Sequence, residues 1–267
     1  MQRGVWKSLE TSSLLAVIVL AGCEPNPGEA TQASVLNQTE STALPMGAGI
    51  SESQASLIIE DDVAYLAQIG LMRGHLWVGH QLYLKDLPVM AETHMKHPKA
   101  ELYSTLVDAF EARGVAGFAE PLSHLADRVS ARAPREEVQV AYDQLQAQIA
   151  ACEHGANIDS PANIAKVIVA LLRTAADEYA IGIVDGATNN LHEYQDAYGF
   201  TEIAKVWARS SAFSADDQSV AVAAAIQDVL DELAPMWPSL APQGSVDFTA
   251  AQLYDAAIRI ETLALNI

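Results

Sequence analysis

The stretch "SESQASLIIEDDVAYLAQIGLMRGHLWVGHQLYLK" (residues 51–85) decides the fold class. Apolar residues recur along it at helical spacing, as Leu71, Val78 and Leu82 illustrate. Ser51 stands in front of this run as a capping residue, and the "SESQ" pattern allows the reciprocal hydrogen bonds of a capping box. The stretch therefore predicts one long helix over its whole length.

The same helical pattern continues to the end of the chain, and no alternating run predicts a strand. Prolines fit the first turns of several helices, and glycines mark several helix ends. Helices are predicted over residues 51–85, 88–97, 98–113, 116–131, 134–154, 161–185, 189–211, 215–234 and 248–265. The predicted fold class is all-α, an antiparallel bundle of about eight to nine helices with short connections.

The N-terminal sequence "MQRGVWKSLETSSLLAVIVLAGC" (residues 1–23) has the layout of a secretory signal. Arg3 and Lys7 precede an apolar run that is too short to span a bilayer. Its end, Leu-Ala-Gly-Cys, resembles the bacterial lipobox, in which the cysteine is lipidated and becomes the first residue. This resemblance implies that residues 1–22 are a lipoprotein signal peptide and that Cys23 is the lipidation site, with palmitate as a typical acyl chain. An uncleaved anchor helix is the alternative.

The domain organisation and location follow from this reading. Residues 23–50 are rich in Pro, Gly, Ser, Thr and Gln and are predicted to be a flexible tether to a helical domain over residues 51–267. The lipid at Cys23 would hold the protein to a membrane of the cell envelope, on the periplasmic side. Glu24 favours the outer over the inner membrane, because aspartate at that position is the usual inner-membrane retention signal.

The charge of the chain excludes one class of partner. Its formal net charge is −19. Removing residues 1–22 takes away two cationic residues and one anionic residue, which leaves −20. A protein this acidic does not bind the phosphates of nucleic acids. After lipidation of Cys23, Cys152 is the one remaining cysteine, either a buried structural residue or a metal ligand beside His154.

Two segments of the helical domain have an internal similarity. "LMRGHLWVGHQLYLKD" (71–86) aligns with "LLRTAADEYAIGIVDG" (171–186). Extending the alignment pairs His94 with Glu193 and His97 with Asp196. If the similarity is more than chance, residues 51–156 and 157–267 form two pseudo-symmetric halves, each of which brings potential ligands to a shared site.

Four of the seven histidines lie within 23 positions: His75, His80, His94 and His97. His94 and His97 are three residues apart, so within a helix both imidazoles point the same way and suit a transition metal. Pro98 allows the alternative of a frayed helix end whose histidine interacts with the helix dipole. Three glycines around His75 indicate close approach of another helix or of a bound group.

Acidic residues supply the complementary donors in the second half. Glu193 and Asp196 share a helix face, and Glu178 lies on the stripe that corresponds to that of His75. Carboxylates and imidazoles that converge between helices are how di-iron bundles hold metal, although the Glu-x-x-His pattern of those proteins is missing here. A solvated acidic face is the alternative.

The sequence "MRGHL", followed by "HMKHP" and "EYQDAYGF", resembles a family of exported, uncharacterised bacterial helical proteins. The layout is also similar to that of imelysin-type periplasmic proteins, which are all-helical, have two bundle halves and are linked to iron uptake. Their Gly-x-His-x-x-Glu signature is incomplete here, because no glutamate follows three residues after His75.

The leading hypothesis is a lipid-anchored, non-catalytic protein that binds iron, zinc or copper between two helical halves. Copper stays open because Met72, Met90 and Met95 offer thioethers. The proposed ligands are His75, His94, His97, Glu178, Glu193 and Asp196. The second-tier candidates are His80, Glu101 and His192.

Two other functions remain open. One is a structural module that contacts an envelope protein partner, with buried histidines that bind no metal. The other is an enzyme that uses the cluster for proton transfer. Neither a Gly-x-Ser-x-Gly nor a His-Glu-x-x-His motif is present, and there is no phosphate-binding glycine loop, so nothing favours a hydrolase or nucleotide enzyme.

Overall fold

The computed structural model describes residues 51–156 and 160–267, except for the side chains of residue 97 and residues 99–101. The predicted signal peptide, the predicted lipidation site Cys23 and the predicted tether lie outside the described residues. Those described form a single compact unit.

Helices dominate the described part of the chain, which confirms the all-α fold class. Its ten α-helices are α1 (Glu52–Glu60), α2 (Asp62–Leu84), α3 (Pro88–Glu101), α4 (Tyr103–Arg113), α5 (Ala119–Ser130), α6 (Arg135–Glu153), α7 (Pro161–Gly182), α8 (Leu191–Trp207), α9 (Asp217–Asp231) and α10 (Ala251–Ala264). Short 3-10 helices span Ser211–Ser214 and Ala234–Met236. None of these described helices is long and apolar enough to cross a membrane.

Helix α2 lies at the centre of the molecule. Of its 23 residues, 17 are buried, so it is covered on nearly every side rather than along one stripe. It packs against α3, α7 and α8. Helices α3 and α8 come from different predicted halves of the domain, and α2 contacts both of them. The division into halves 51–156 and 157–267 stays a prediction.

The N-terminal stretch contains two helices rather than the predicted single one. Ser51 forms the capping box of α1 with Gln54, in agreement with the sequence pattern. The chain then becomes extended at Asp61, whose carboxylate accepts a hydrogen bond from the backbone N–H of Ala64 at 2.8 Å. The prediction of an unbroken helix was wrong because Asp61 both ends α1 and caps α2.

Pro98 was predicted to begin a helix, but it lies inside α3. A proline removes one backbone donor and crowds the preceding turn, yet α3 continues past it to Glu101. The interruption comes at Leu102, after which α4 begins. The backbone at position 97 is therefore helical and not a frayed end.

Helix α7 ends three residues earlier than predicted, because the chain forms a small hairpin. Strand β1 (Ile183–Val184) pairs antiparallel with β2 (Ala187–Thr188). Asp185 and Gly186 both have positive φ angles in the two-residue turn between them, as a tight hairpin requires. The turn sends α8 back along α7, and the two helices pack closely.

Glycines allow α2 and α8 to approach each other at backbone distance. A Cβ atom added to Gly199 would lie 2.5 Å from the carbonyl oxygen of Gly74 and 2.7 Å from Val78 Cγ2. Neither neighbour is the end of a long flexible side chain. The glycines around His75 are thus explained by helix packing.

We expect Gly199→Ala to lower the free energy of unfolding by about 1–3 kcal/mol, because the added methyl group must push α2 and α8 apart. Gly70→Ala is the matched control, since the three atoms nearest to its Cβ would all belong to the side chain of Leu171, the closest at 3.0 Å. Alanine favours a helix interior over glycine by about 1 kcal/mol, which offsets that contact. Urea denaturation of both variants tests this, and equal stability of the two would contradict it.

Candidate metal centre

The carboxylate of Asp196, on α8, lies in the protein interior with 1% of its surface exposed. One of its oxygens, Oδ1, is 2.6 Å from Nδ1 of His75 and 3.0 Å from Nδ1 of His94. The other oxygen, Oδ2, is 3.0 Å from Nδ1 of His192. Three imidazoles therefore surround one buried carboxylate.

Helix packing brings these side chains together. His75 on α2 follows Gly74, where the backbones of α2 and α8 touch. His94 on α3 reaches the same place because α3 lies close to α2 at Gly79, where an added Cβ would come within 3.2 Å of the Cβ of His94. His192 and Asp196 are one turn apart on α8, so they share a face.

The contacts at Oδ1 have the distances of ion pairs but lack the direction of ordinary hydrogen bonds. Nδ1 of His75, Nδ1 of His94 and Oδ1 of Asp196 are all buried without a hydrogen bond of ordinary geometry. The distances would permit hydrogen bonds, so it is the direction of the ring nitrogens that does not fit. Buried polar atoms are rarely left in this state, and a cation between the three would satisfy them together.

Gln195 determines which nitrogen of His94 faces Asp196. Its amide Nε2 donates to the backbone oxygen of Leu240 at 2.8 Å, so its Oε1 is the atom that lies 2.8 Å from Nε2 of His94. Nε2 of His94 must therefore carry a proton and donate it. In the neutral ring, Nδ1 is then the lone-pair nitrogen, and it lies on the side of the ring next to Asp196. Outer hydrogen bonds orient metal-binding histidines in this way.

A second group of donors adjoins the first. Oε2 of Glu193 is 3.7 Å from Nδ1 of His192, and these two residues together with Asp196 offer ligand atoms within 4.8 Å of one another. Glu178 on α7 lies against Glu193. The ring of His192 stacks on that of His94, with centroids 4.3 Å apart and planes within 4°.

The cluster shifts the pKa values of His192, Asp196 and Glu178 strongly. Burial alone would lower the pKa of His192, but its contacts with Asp196 and Glu193 raise it to about 10. Burial would likewise raise the pKa of Asp196, yet the charge of His75 and the contact with His192 hold it well below its usual value. For Glu178, burial and then the negative charge of Glu193 raise the pKa to about 8.

The donors fit a transition metal. His75, His94 and Asp196 form a set of two imidazoles and one carboxylate, whose ligand atoms lie within 4.8 Å of one another. Ligand atoms about 2.0–2.1 Å from a tetrahedral ion stand about 3.3 Å apart. The contacts of 2.6 and 3.0 Å would have to open by less than about 1 Å to admit an ion.

The structure brings most of the predicted site residues together. Those at the cluster are His75, His94, Glu178, Glu193, Asp196 and the second-tier candidate His192. The second-tier His80 lies apart from this cluster, stacked on Tyr142 with ring centroids 4.1 Å apart, and its role in the site stays a prediction. The side chains of His97 and Glu101 are outside the described residues.

Gln195 and Cys152 are two further residues that had been candidates, or could have been, for a role in the site. Gln195 was missed, and only its position beside Asp196 in "HEYQD" could have suggested it. Cys152 is buried, and among the described residues the groups that could hold a metal do not include it. The structural interpretation of that cysteine is the one that agrees with its surroundings.

Comparison with known proteins gives one match. Residues 154–265 match a family described as iron permease-associated 4-helix bundle domain. This range contains α7, α8, α9 and α10, which pack against one another. No curated protein and no solved structure matches the chain. The match supports a relation to an all-helical family, whereas the resemblance to imelysin-type proteins stays a prediction.

We expect His192 to stabilise the metal-free protein in a pH-dependent way. Because its pKa is raised from 6.5 to about 10, its contribution is complete below about pH 6.5 and is lost as the pH rises through about 10. The stability difference between the wild type and His192→Asn, measured by urea denaturation with chelator present, should therefore shrink across this range. His124→Asn, at an exposed position on α5, is the control. A difference independent of pH would contradict the prediction.

Proposed function

We propose that this protein binds iron without catalysing a reaction, as a lipid-anchored component of the cell envelope. The observation that carries the proposal is the buried Oδ1 of Asp196, contacted by the Nδ1 atoms of His75 and His94 without a hydrogen bond of ordinary geometry. The lipid at Cys23 would tether the helical domain on the periplasmic side, with the outer membrane favoured.

The choice of iron is supported by two independent points. Two histidines and one carboxylate are the donors with which many proteins hold ferrous iron while leaving other coordination positions open. In addition, α7 to α10 match a domain that is described as associated with an iron permease. Zinc accepts similar donors and is the principal competitor, and copper would draw on the nearby methionines.

Binding rather than turnover is supported by the burial of the donors. His75, His94 and Asp196 are each exposed by 1% or less, so an organic substrate could not reach an ion between them without rearrangement of α2, α3 and α8. An ion can enter and be retained at such a place. This fits a protein that carries or stores metal.

We expect the full chain to bind Fe²⁺ that is added without oxygen. Generic sites with these donors prefer Zn²⁺ and Cu²⁺ to Fe²⁺, and we expect this preference to be smaller in this protein. Asp196→Asn and His75→Asn should weaken binding by more than about 100-fold, beyond the range typical of changes in surrounding groups. His80→Asn removes a buried histidine from the same helix without touching the cluster, and should bind as the wild type does. Isothermal titration with metal analysis of the purified protein gives these values.

Two results would overturn the proposal. One is binding weaker than about millimolar for all three metals. The other is equal binding by the wild type and Asp196→Asn. Either result would favour the structural module, in which the histidines are buried polar groups that fix the packing of α2, α3 and α8.

We expect Gln195→Leu to weaken metal binding by about 10–100-fold, because His94 then loses the acceptor that orients it. Gln227→Leu is the matched control. It also removes a partly buried amide that donates to a backbone oxygen, that of Ala208, directly after the end of α8. Equal affinities of the two variants would exclude the positioning role of Gln195, and ¹⁵N chemical shifts of the His94 ring report its tautomer directly.

A further inference from the structure

The two oxygens of Asp196 face different sets of donors. Oδ1 lies between His75 and His94, whereas Oδ2 lies 3.0 Å from Nδ1 of His192. His192 is followed by Glu193, whose carboxylate adjoins the same imidazole. A carboxylate shared in this way is the arrangement by which two ions are bridged.

Glu178 adds an unusual buried acid to the second set. It is 4% exposed, although carboxylates are almost never fully buried unless paired. Its close neighbour is another carboxylate, that of Glu193, and the charge of Asp196 is near enough to act on it as well. Glu178 on α7 and Glu193 on α8 thus form a hydrogen-bonded pair of carboxyl groups beside His192 and Asp196. This pair offers a further oxygen donor next to the second set.

The two donor sets lie side by side. The rings of His94 and His192 are stacked in parallel, with 4.3 Å between centroids. Each ring belongs to a different donor set, so the stacking makes the two sets neighbours, as a centre with two ions about 3.5–4 Å apart requires.

We infer that the centre holds two divalent transition-metal ions bridged by Asp196. One ion is bound by His75, His94 and Oδ1. The other is bound by His192, Glu193 and Oδ2, with Glu178 as an additional oxygen donor. This inference rests on the proposed function and assigns it a second ion, His192 as a ligand, and a role for the buried Glu178.

The two positions differ in access to solvent. The side chains of His192 and Glu193 are 23% and 28% exposed, whereas those of His75 and Asp196 are 1% exposed. The position at His192 is therefore the outer one. Its ion exchanges with solvent first, and the inner ion is retained longer.

Metal content of the full chain, loaded with Zn²⁺ or with Fe²⁺ without oxygen and measured by native mass spectrometry, tests the inference. The wild type should hold two ions, and a chelator should remove them in two separate phases. Glu178→Gln and His192→Asn should each hold one tightly bound ion, and Asp196→Asn should hold neither. Glu202→Gln, which changes an acid on α8 that pairs with Lys205, should hold two.

The possible failures are distinguishable. One ion in the wild type, unchanged by Glu178→Gln and His192→Asn, would overturn the two-ion centre and leave the proposed function in place. No ion in the wild type would overturn both. Glu178→Gln preserves the size of the side chain, so circular dichroism should show the wild-type helix content, and its metal content decides the question even if His192→Asn is unstable.

Discussion

The buried carboxylate of Asp196 is the constraint around which the centre of the molecule is built. Placing such a group out of contact with water costs several kcal/mol unless opposite charge and hydrogen bonds compensate for it. His192 on α8 compensates at Oδ2, whereas His75 on α2 and His94 on α3 lie beside Oδ1 without ordinary hydrogen-bond geometry. These helices must approach closely for the imidazoles to reach one carboxylate, and Gly74, Gly79 and Gly199 provide that approach. The packing brings the backbones of α2 and α8 into contact, yet three buried polar atoms beside this contact lack hydrogen bonds of ordinary geometry. An ion bound between these three atoms would explain the arrangement.

The residues of the cluster come from both inside and outside the matched domain. Asp196, His192, Glu193 and Glu178 all come from α7 and α8, inside the matched residues 154–265. His75 and His94 come from α2 and α3, outside them. The four-helix bundle thus supplies the carboxylates and one imidazole, and the N-terminal helices supply the two imidazoles that make Oδ1 a candidate site. Contacts of α2 with α7 and α8 connect the two contributions.

Much of the helical framework is predictable from local sequence, because apolar period and capping residues act within a few residues. The helix bounds differ from prediction at three places. Asp61 both ends α1 and caps α2, Pro98 is tolerated inside α3, and a hairpin follows α7. The site shows a comparable limit. His75 and His80 are five residues apart, about 140° around a helix, so only one can face α8, and spacing alone does not say which. The role of Gln195 depends on Leu240, 45 residues away, which no local pattern reveals.

Anomalous diffraction from crystals of the iron-loaded protein, recorded at the iron absorption edge, shows directly whether iron lies at Asp196. We expect an iron peak about 2.0–2.2 Å from Nδ1 of His75, Nδ1 of His94 and an oxygen of Asp196. A loaded protein whose iron lies away from Asp196, or crystals in which the Asp196 carboxylate keeps its imidazole contacts and no iron peak is found, would contradict it.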